Sequence, residues 1–139
     1  MSGSNYKLDE VIEFIRNADR RGLCFGGWPD SVLEIYLAWH HKNGSLFLVE
    51  GEDNLVTVAI GTKMFEDDID KHWVPWNEHG DSLYVSDLVA TSRQGVATCI
   101  DELDQRVRGW KELKLFALRH GRKKQFRHKV FEKLWSAAQ

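Results

Sequence analysis

Residues 83–97, which read LYVSDLVATSRQGVA, decide the fold. Their apolar first part predicts a β-strand over 82–89, and the spacing that follows predicts a helix over 95–107. A short loop of mostly small residues joins the two. Such a loop at a helix N-terminus offers free backbone N–H groups and the positive end of the helix dipole. The segment therefore predicts an anion site suited to a pyrophosphate.

The rest of the chain predicts a mixed sheet with helices packed on it, in the order α-α-β-β-β-α-β-α. A strand–helix–strand unit that follows an antiparallel hairpin is typical of an α/β (α+β) fold. An acidic excursion over 65–81, with one helical turn, separates the hairpin from the third strand. The other predicted elements are helices at 8–20 and 30–43, a hairpin of 45–50 and 55–64, a strand at 113–118 and a helix at 125–135.

Length and composition limit the class of protein. The 139 residues predict one domain, 1–139. No run of about eighteen apolar residues is present, which predicts no membrane span, and no secretory signal opens the chain. Cys24 and Cys99 are too few for a disulfide scaffold and too isolated for a zinc site. These features predict a cytoplasmic protein with reduced thiols.

The charge is divided unevenly along the chain. From Arg106 to Lys133 there are eleven Lys and Arg against two Glu, whereas the remainder is acidic, most densely at 66–70. Three interpretations of the basic stretch stay open. Arg122, Lys123 and Lys124 contact a coenzyme phosphate, the whole stretch follows the phosphates of a nucleic acid, or it is a solvated face.

The remaining candidates for a functional role are the six histidines, Cys24 and a pair of tryptophans. His40 and His41 are adjacent, so on a helix their side chains diverge by about 100°. His72 and His79 have no spacing known from metal sites, and the sequence predicts no metal. Cys24 is either a nucleophile or, in the favoured interpretation, a small buried hydrophobe. The Trp73 and Trp76 pair lines a groove or forms a lid packed on the sheet.

The segment 83–97 and the element order resemble the GNAT acyltransferase superfamily. The loop pattern of that family is Arg/Gln, two residues, Gly, one residue, Gly/Ala. Gly95, Val96 and Ala97 fit its second half, whereas Ser92 stands at the basic position and Arg93 and Gln94 come late.

This resemblance implies an acyl-CoA or acyl-carrier thioester as donor and an amine as acceptor. It implies that the backbone of Leu88 and Ala90 lies along the pantetheine arm. The residues around the pyrophosphate would be Arg93, Gln94, Gly95, Val96 and Ala97. Gly95 would let the backbone approach the ligand closely.

Residues 23–118 also resemble the acyltransferases that activate RTX toxins by fatty-acylating lysines from an acyl-carrier protein. FGGWP at 25–29 is similar to their His-x-x-Trp-Pro segment, and VSDLVA at 85–90 to their strand with an essential Asp. Asp87 is then the catalytic residue, as base or orienter, next to a β-bulge. The alternative from the residues alone is a structural Asp that bonds neighbouring backbone N–H groups. Glu50 is a weaker candidate base.

Two departures from these families leave the activity open. Phe25 occupies the position of the catalytic His, and Phe131 that of the Tyr that protonates the departing thiolate, and phenylalanine moves no proton. The chain also has no room for the last two strands of the family, so part of the acceptor wall comes from a second subunit of a homo-oligomer or is absent. The alternative function is a non-catalytic GNAT-like protein that binds a macromolecule.

Overall fold

Four α-helices and five β-strands account for most of the part of the chain that the computed structural model describes, residues 8–22, 24–71, 73–119 and 122–136. The mixed α/β class is thereby confirmed. In chain order the elements are α1 Leu8–Ala18, α2 Asp30–Asn43, β1 Leu46–Glu50, β2 Leu55–Met64, β3 Ser82–Ala90, α3 Arg93–Arg106, β4 Lys114–Arg119, β5 Arg122–Phe126 and α4 His128–Ser136.

The sheet follows the chain, with strand order β1-β2-β3-β4-β5. Neighbouring strands are antiparallel except β3 and β4, which run parallel and are joined through α3. The predicted hairpin and the predicted parallel pair are both confirmed. The excursion after β2 contains one 3-10 turn, Glu66–Asp68, as expected.

Helices cover both faces of the sheet. Leu46 and Leu48 of β1 face the core formed with α1 and α2, whereas Phe47 and Val49 face the core under α3. Because both faces of the strand are buried, β1 is a continuous apolar run rather than an alternating one. The largest buried side chain under α3 is Trp110, which is 1% exposed.

The fifth strand corrects the predicted element order. The sequence predicted a final helix from Gln125, but 122–126 form β5, antiparallel to β4, and α4 begins at His128. Four of the five residues of β5 are polar and exposed. Such a strand at the sheet edge has no apolar alternation for a sequence pattern to detect.

Strands β3 and β4 pair over only part of their length. The parallel ladder joins Ser82–Val85 to residues 114–117, and beyond it β3 pairs with β2 alone. Leu88, past the end of this ladder, is 43% exposed although it lies in the central strand. The C-terminal half of β3 is therefore accessible from the side of β4.

A β-bulge interrupts the pairing of β2 with β3. Ile60 pairs with Asp87 and Gly61 with Val85, so Ser86 is the additional residue. An extra residue shifts the in-and-out alternation of a strand. As a result Ser86 and Asp87, although consecutive, both lie on the α2 side of the sheet. The bulge lies beside Asp87, as the resemblance implied.

The start of α3 is packed more tightly than its sequence suggested. The Ser92 side chain caps the helix by accepting a hydrogen bond of 3.0 Å from the Gly95 N–H. Gly95 is buried against β2, where a Cβ atom would lie 2.5 Å from Thr57 Oγ1. The contact between helix and sheet therefore requires a glycine at this position whether or not a ligand binds there.

In the described ranges, no helix has the length and apolar character needed to cross a bilayer.

Gly95→Ala is expected to lower the free energy of unfolding by about 1–3 kcal/mol, because the new methyl group overpacks a filled site. Gln94→Ala, in the same turn but exposed, is the matched control and should change stability by less than about 0.5 kcal/mol. Thr57→Ala in the Gly95→Ala background should recover part of the loss. Urea titration of the four proteins is the measurement. Equal stability of the parent and Gly95→Ala would contradict the packing.

Candidate functional site

The carboxylate of Asp87 is the centre of the candidate site. The residue is 7% exposed and accepts three hydrogen bonds from side chains. Cys24 Sγ donates to Oδ1 at 3.2 Å, and Oδ2 accepts from Tyr36 Oη at 2.7 Å and from Ser86 Oγ at 3.0 Å. The described donors are hydroxyl and thiol groups rather than the backbone N–H groups that the structural alternative required. Three donors on one carboxylate suit an anion.

The loop after α1 presents Cys24 to Asp87. Asp19 Oδ2 accepts the N–H groups of Cys24 and Gly26, each at 2.8 Å. Arg16 donates to the Gly26 carbonyl at 2.7 Å, and a Cβ atom on Gly26 would collide with the Asp19 carbonyl. These contacts fix the loop. Phe25, at the position of the family's His, points into the core at 0% exposure.

The groups around Asp87 are neutral at physiological pH. Burial, followed by the Asp87 charge, raises the pKa of the Cys24 thiol to about 12 and raises that of the Tyr36 hydroxyl well above its usual range. Burial lowers the pKa of His40 to about 4, against the pull of Asp87. Cys24 is therefore a thiol donor, which disfavours a nucleophilic role at neutral pH.

A groove of about 460 Å³ opens beside Asp87 on the α2 side of the sheet. Its walls are mainly aromatic and aliphatic: Trp28, Tyr36, His40, Trp73, Met64 and Leu118. Tyr36 packs edge-on against the Trp28 ring at a centroid distance of 5.0 Å and against the Trp73 ring at 5.7 Å. Trp73 thus lines the groove, one of the two roles left open for it. Its φ of 57° is unusual for a side chain of this size.

The predicted coenzyme residues lie on the other face of the sheet. Leu88 and Val96 line an apolar cavity of about 60 Å³ between β3 and α3. Ala97 is buried in α3 but does not line this cavity, whereas Arg93 and Gln94 are exposed in the first turn of the helix. Asp87 lies on the opposite face. A thioester that contacted both Asp87 and the predicted coenzyme residues would have to pass between β3 and β4, beyond the point where their pairing ends.

Arg122, Lys123 and Lys124 do not form one phosphate-binding patch. They are consecutive in β5, so their side chains alternate between its two faces. Lys123, on the groove side, is bonded to the carbonyl of Ile69 and to Asp70 at 3.0 Å. The sequence pattern did not predict this strand, whose alternation separates Lys123 from Arg122 and Lys124.

The other sequence candidates are dispersed. Glu50 is exposed at the end of β1 and does not line the groove. Phe131 lies in α4, but its side chain, like His72, falls outside the described residues. Among the described residues, no three His, Cys, Asp or Glu side chains are grouped as a metal site requires.

Sequence reasoning missed Tyr36, His40 and Ser86 as members of the site. Tyr36 and His40 are one turn apart on α2, on the same buried side of the helix as Leu33 and Leu37. Polar groups on the apolar side of a helix are the signal that was present in the sequence. Ser86 was hidden because strand alternation places it away from Asp87 unless a bulge is known.

No protein-family model, curated protein or solved structure matches this chain.

Asp87→Asn is expected to speed the alkylation of Cys24 by iodoacetamide at pH 8. The Asp87 charge helps to keep the pKa of the thiol at about 12, so its removal increases the thiolate fraction. The rate is measured by mass spectrometry in a Cys99→Ser background, with Asp53→Asn in the exposed β1–β2 turn as the control. An unchanged rate would show that Asp87 does not control the thiol.

His40 is expected to make the protein less stable in acid. Its folded-state pKa of about 4 lies below the ordinary value of 6.5, so between these values the unfolded chain binds more protons than the folded one. The contribution of His40 to stability should fall as the pH is lowered from about 6.5 to 4 and level off below that range. In His40→Asn this part of the decline should be missing from a series of denaturant titrations. Identical slopes in the two proteins would contradict the burial of a neutral His40.

Proposed function

We propose that this chain transfers an acyl group from a coenzyme A or acyl-carrier thioester to an amine. The observation that carries the proposal is the buried Asp87 carboxylate, which lies at a β-bulge in the central strand and beside an aromatic groove. A buried carboxylate rarely serves the fold alone, because burying a charge costs free energy unless hydrogen-bond donors compensate it. A group maintained at that cost is a candidate functional group.

The route of the donor follows from the two faces of the sheet. The thioester enters on the α3 side, where Leu88 and Val96 offer an apolar surface, and its reactive carbonyl reaches the α2 side through the gap between β3 and β4. The amine occupies the groove. Holding both reactants together lowers the barrier by several kcal/mol without any proton transfer by the protein.

Asp87 acts here as an orienter of the amine. Its carboxylate already accepts hydrogen bonds from Cys24, Tyr36 and Ser86, and it retains capacity for one further donor. An amine N–H is such a donor. The negative charge also stabilises the positive charge that develops on the nitrogen when it attacks the carbonyl.

The alternative, a surface that binds a macromolecule, is less well supported. Four cations of the basic stretch are paired within the chain: Arg106 with Glu102, Lys111 with Glu132, Lys114 with Glu66 and Lys123 with Asp70. Each internal pair reduces the charge available to a polyanion. The number of counterions released on nucleic-acid binding would fall accordingly.

Asp87→Asn is expected to reduce acyl transfer by a factor of about 10²–10³, because the amide carries no charge to stabilise the attacking nitrogen. The assay measures free thiol released from acetyl-CoA or dodecanoyl-CoA in the presence of Nα-acetyl-lysine, and confirms the amide product by mass spectrometry. Asp53→Asn is the control and should match the parent.

If the parent neither binds nor consumes either thioester, the proposed acyl transfer from CoA is wrong. Tight, salt-sensitive binding of nucleic acid by that same inactive parent would establish the alternative. Activity of Asp87→Asn equal to that of the parent would remove Asp87 from the mechanism.

A further inference from the structure

His40 is a second polar residue of the groove, after Asp87, and aromatic side chains pack around its ring. It lies on α2 one turn after Tyr36 and is 7% exposed. The Tyr36 ring meets the imidazole edge-on at 4.5 Å, and the Trp73 ring lies nearly parallel to it at 6.4 Å. The ring is therefore fixed in place at the edge of the space beside Asp87.

The hydrogen bonds of Ser45 bear on which ring nitrogen of His40 carries the proton. Ser45 Oγ lies 2.7 Å from His40 Nδ1 and 3.3 Å from the His40 carbonyl, and it accepts a hydrogen bond from Asn43 Nδ2 at 3.1 Å. A hydroxyl has one hydrogen to donate. When the carbonyl receives it, Nδ1 is the donor to Ser45 and Nε2 holds the lone pair of the neutral ring, which is the tautomer that the proposal below requires.

His40 lines the groove beside Asp87. No described residue forms a hydrogen bond with Nε2, and this atom is not among the described polar atoms that are both fully buried and unpartnered. Because burial lowers the pKa of His40 to about 4, the lone pair is present throughout the physiological pH range. His40 therefore offers an acceptor to whatever occupies the groove.

We propose that His40 is the proton carrier of the acyl transfer, taking a proton from the attacking amine on Nε2 and delivering it to the departing sulfur. This inference rests on the proposed function and assigns to one residue the two proton transfers that Phe25 and Phe131 cannot perform.

The transfer balances without a further reactant. The amine nitrogen forms a bond to the thioester carbonyl carbon, and one N–H proton moves to Nε2. The carbon–sulfur bond then breaks, and the thiolate takes that proton from Nε2. The products are an amide and a free thiol, and His40 returns to its neutral form with the proton on Nδ1.

The surroundings of His40 suit a transient carrier. With a pKa of about 4 the imidazolium gives its proton readily to a thiolate, a stronger base, whereas the first transfer, from the amine to the imidazole, is the more difficult of the two. Asp87, whose charge favours protonation of His40, stabilises the brief imidazolium. Ser45 keeps the ring orientation fixed through both transfers.

The tautomer is tested without any assay of activity. A long-range proton–nitrogen correlation spectrum at pH 7 should show Nδ1 of His40 protonated and Nε2 unprotonated. Ser45→Ala should reduce the preference for this form, and the exposed His41 serves as the internal control with the ordinary mixture of tautomers. A proton on Nε2 in the parent would overturn the proposal.

The catalytic step is tested with His40→Asn, whose amide keeps a donor in the place of Nδ1 and lacks Nε2. With acetyl-CoA and Nα-acetyl-lysine, kcat should fall by a factor of about 10²–10⁴ while KM for the thioester stays near that of the parent. Added imidazole should restore part of the rate to His40→Ala but not to Asp87→Asn. His41→Asn should behave as the parent does.

The two proposals fail in different ways. If Asp87→Asn loses the activity and folded His40→Asn retains it, acyl transfer stands and His40 is not the carrier. If the parent forms no amide from any thioester offered, both proposals fall. A rise in KM alone for His40→Asn would assign His40 to substrate binding and overturn its proton transfer.

Discussion

A carboxylate in the middle of a sheet is the constraint around which this structure is organised. Asp87 is almost fully buried, and a buried charge is tolerated only when donors replace the water it has lost. Those donors come from three places: Cys24 in the loop after α1, Tyr36 on α2, and Ser86 in β3 itself. The loop, the second helix and the central strand must all be correctly placed before the charge is satisfied.

The bulge and the strand divergence give that carboxylate access to ligands. Without the extra residue at Ser86, the Asp87 side chain would not share a face with its neighbour, and the hydroxyl that bonds Oδ2 would be lost. Without the early end of the β3–β4 ladder, the strand would be covered on both sides. The same few residues thus bury the charge and keep one route to it open.

Whether a feature of the fold was predictable depends on how far apart in the sequence the interacting residues are. The hairpin, the parallel pair and the four helices follow from local apolar spacing, and they were found close to their predicted bounds. The strand β5 was not predicted, because Arg122–Phe126 is polar and is defined by pairing with β4 rather than by its own pattern. The packing role of Gly95 was not predicted for a related reason, since only the position of Thr57 on another strand reveals why glycine is required there.

The residues of the candidate site differ in the same way, because some could be predicted from the sequence and others could not. Asp87 became a candidate through the resemblance of VSDLVA at 85–90 to a family segment. Two of its three described partners, Tyr36 and Cys24, are 51 and 63 residues away along the chain. Phenylalanine replaces both expected proton-transfer residues, which left Asp87, as base or orienter, and the weaker candidate Glu50. The structure adds a third polar group, because His40 contacts Tyr36, the same residue that donates to Asp87. In the proposed mechanism the group that moves the proton lies on α2 rather than at either expected position in the chain, and Phe25 in the loop is a buried hydrophobic anchor.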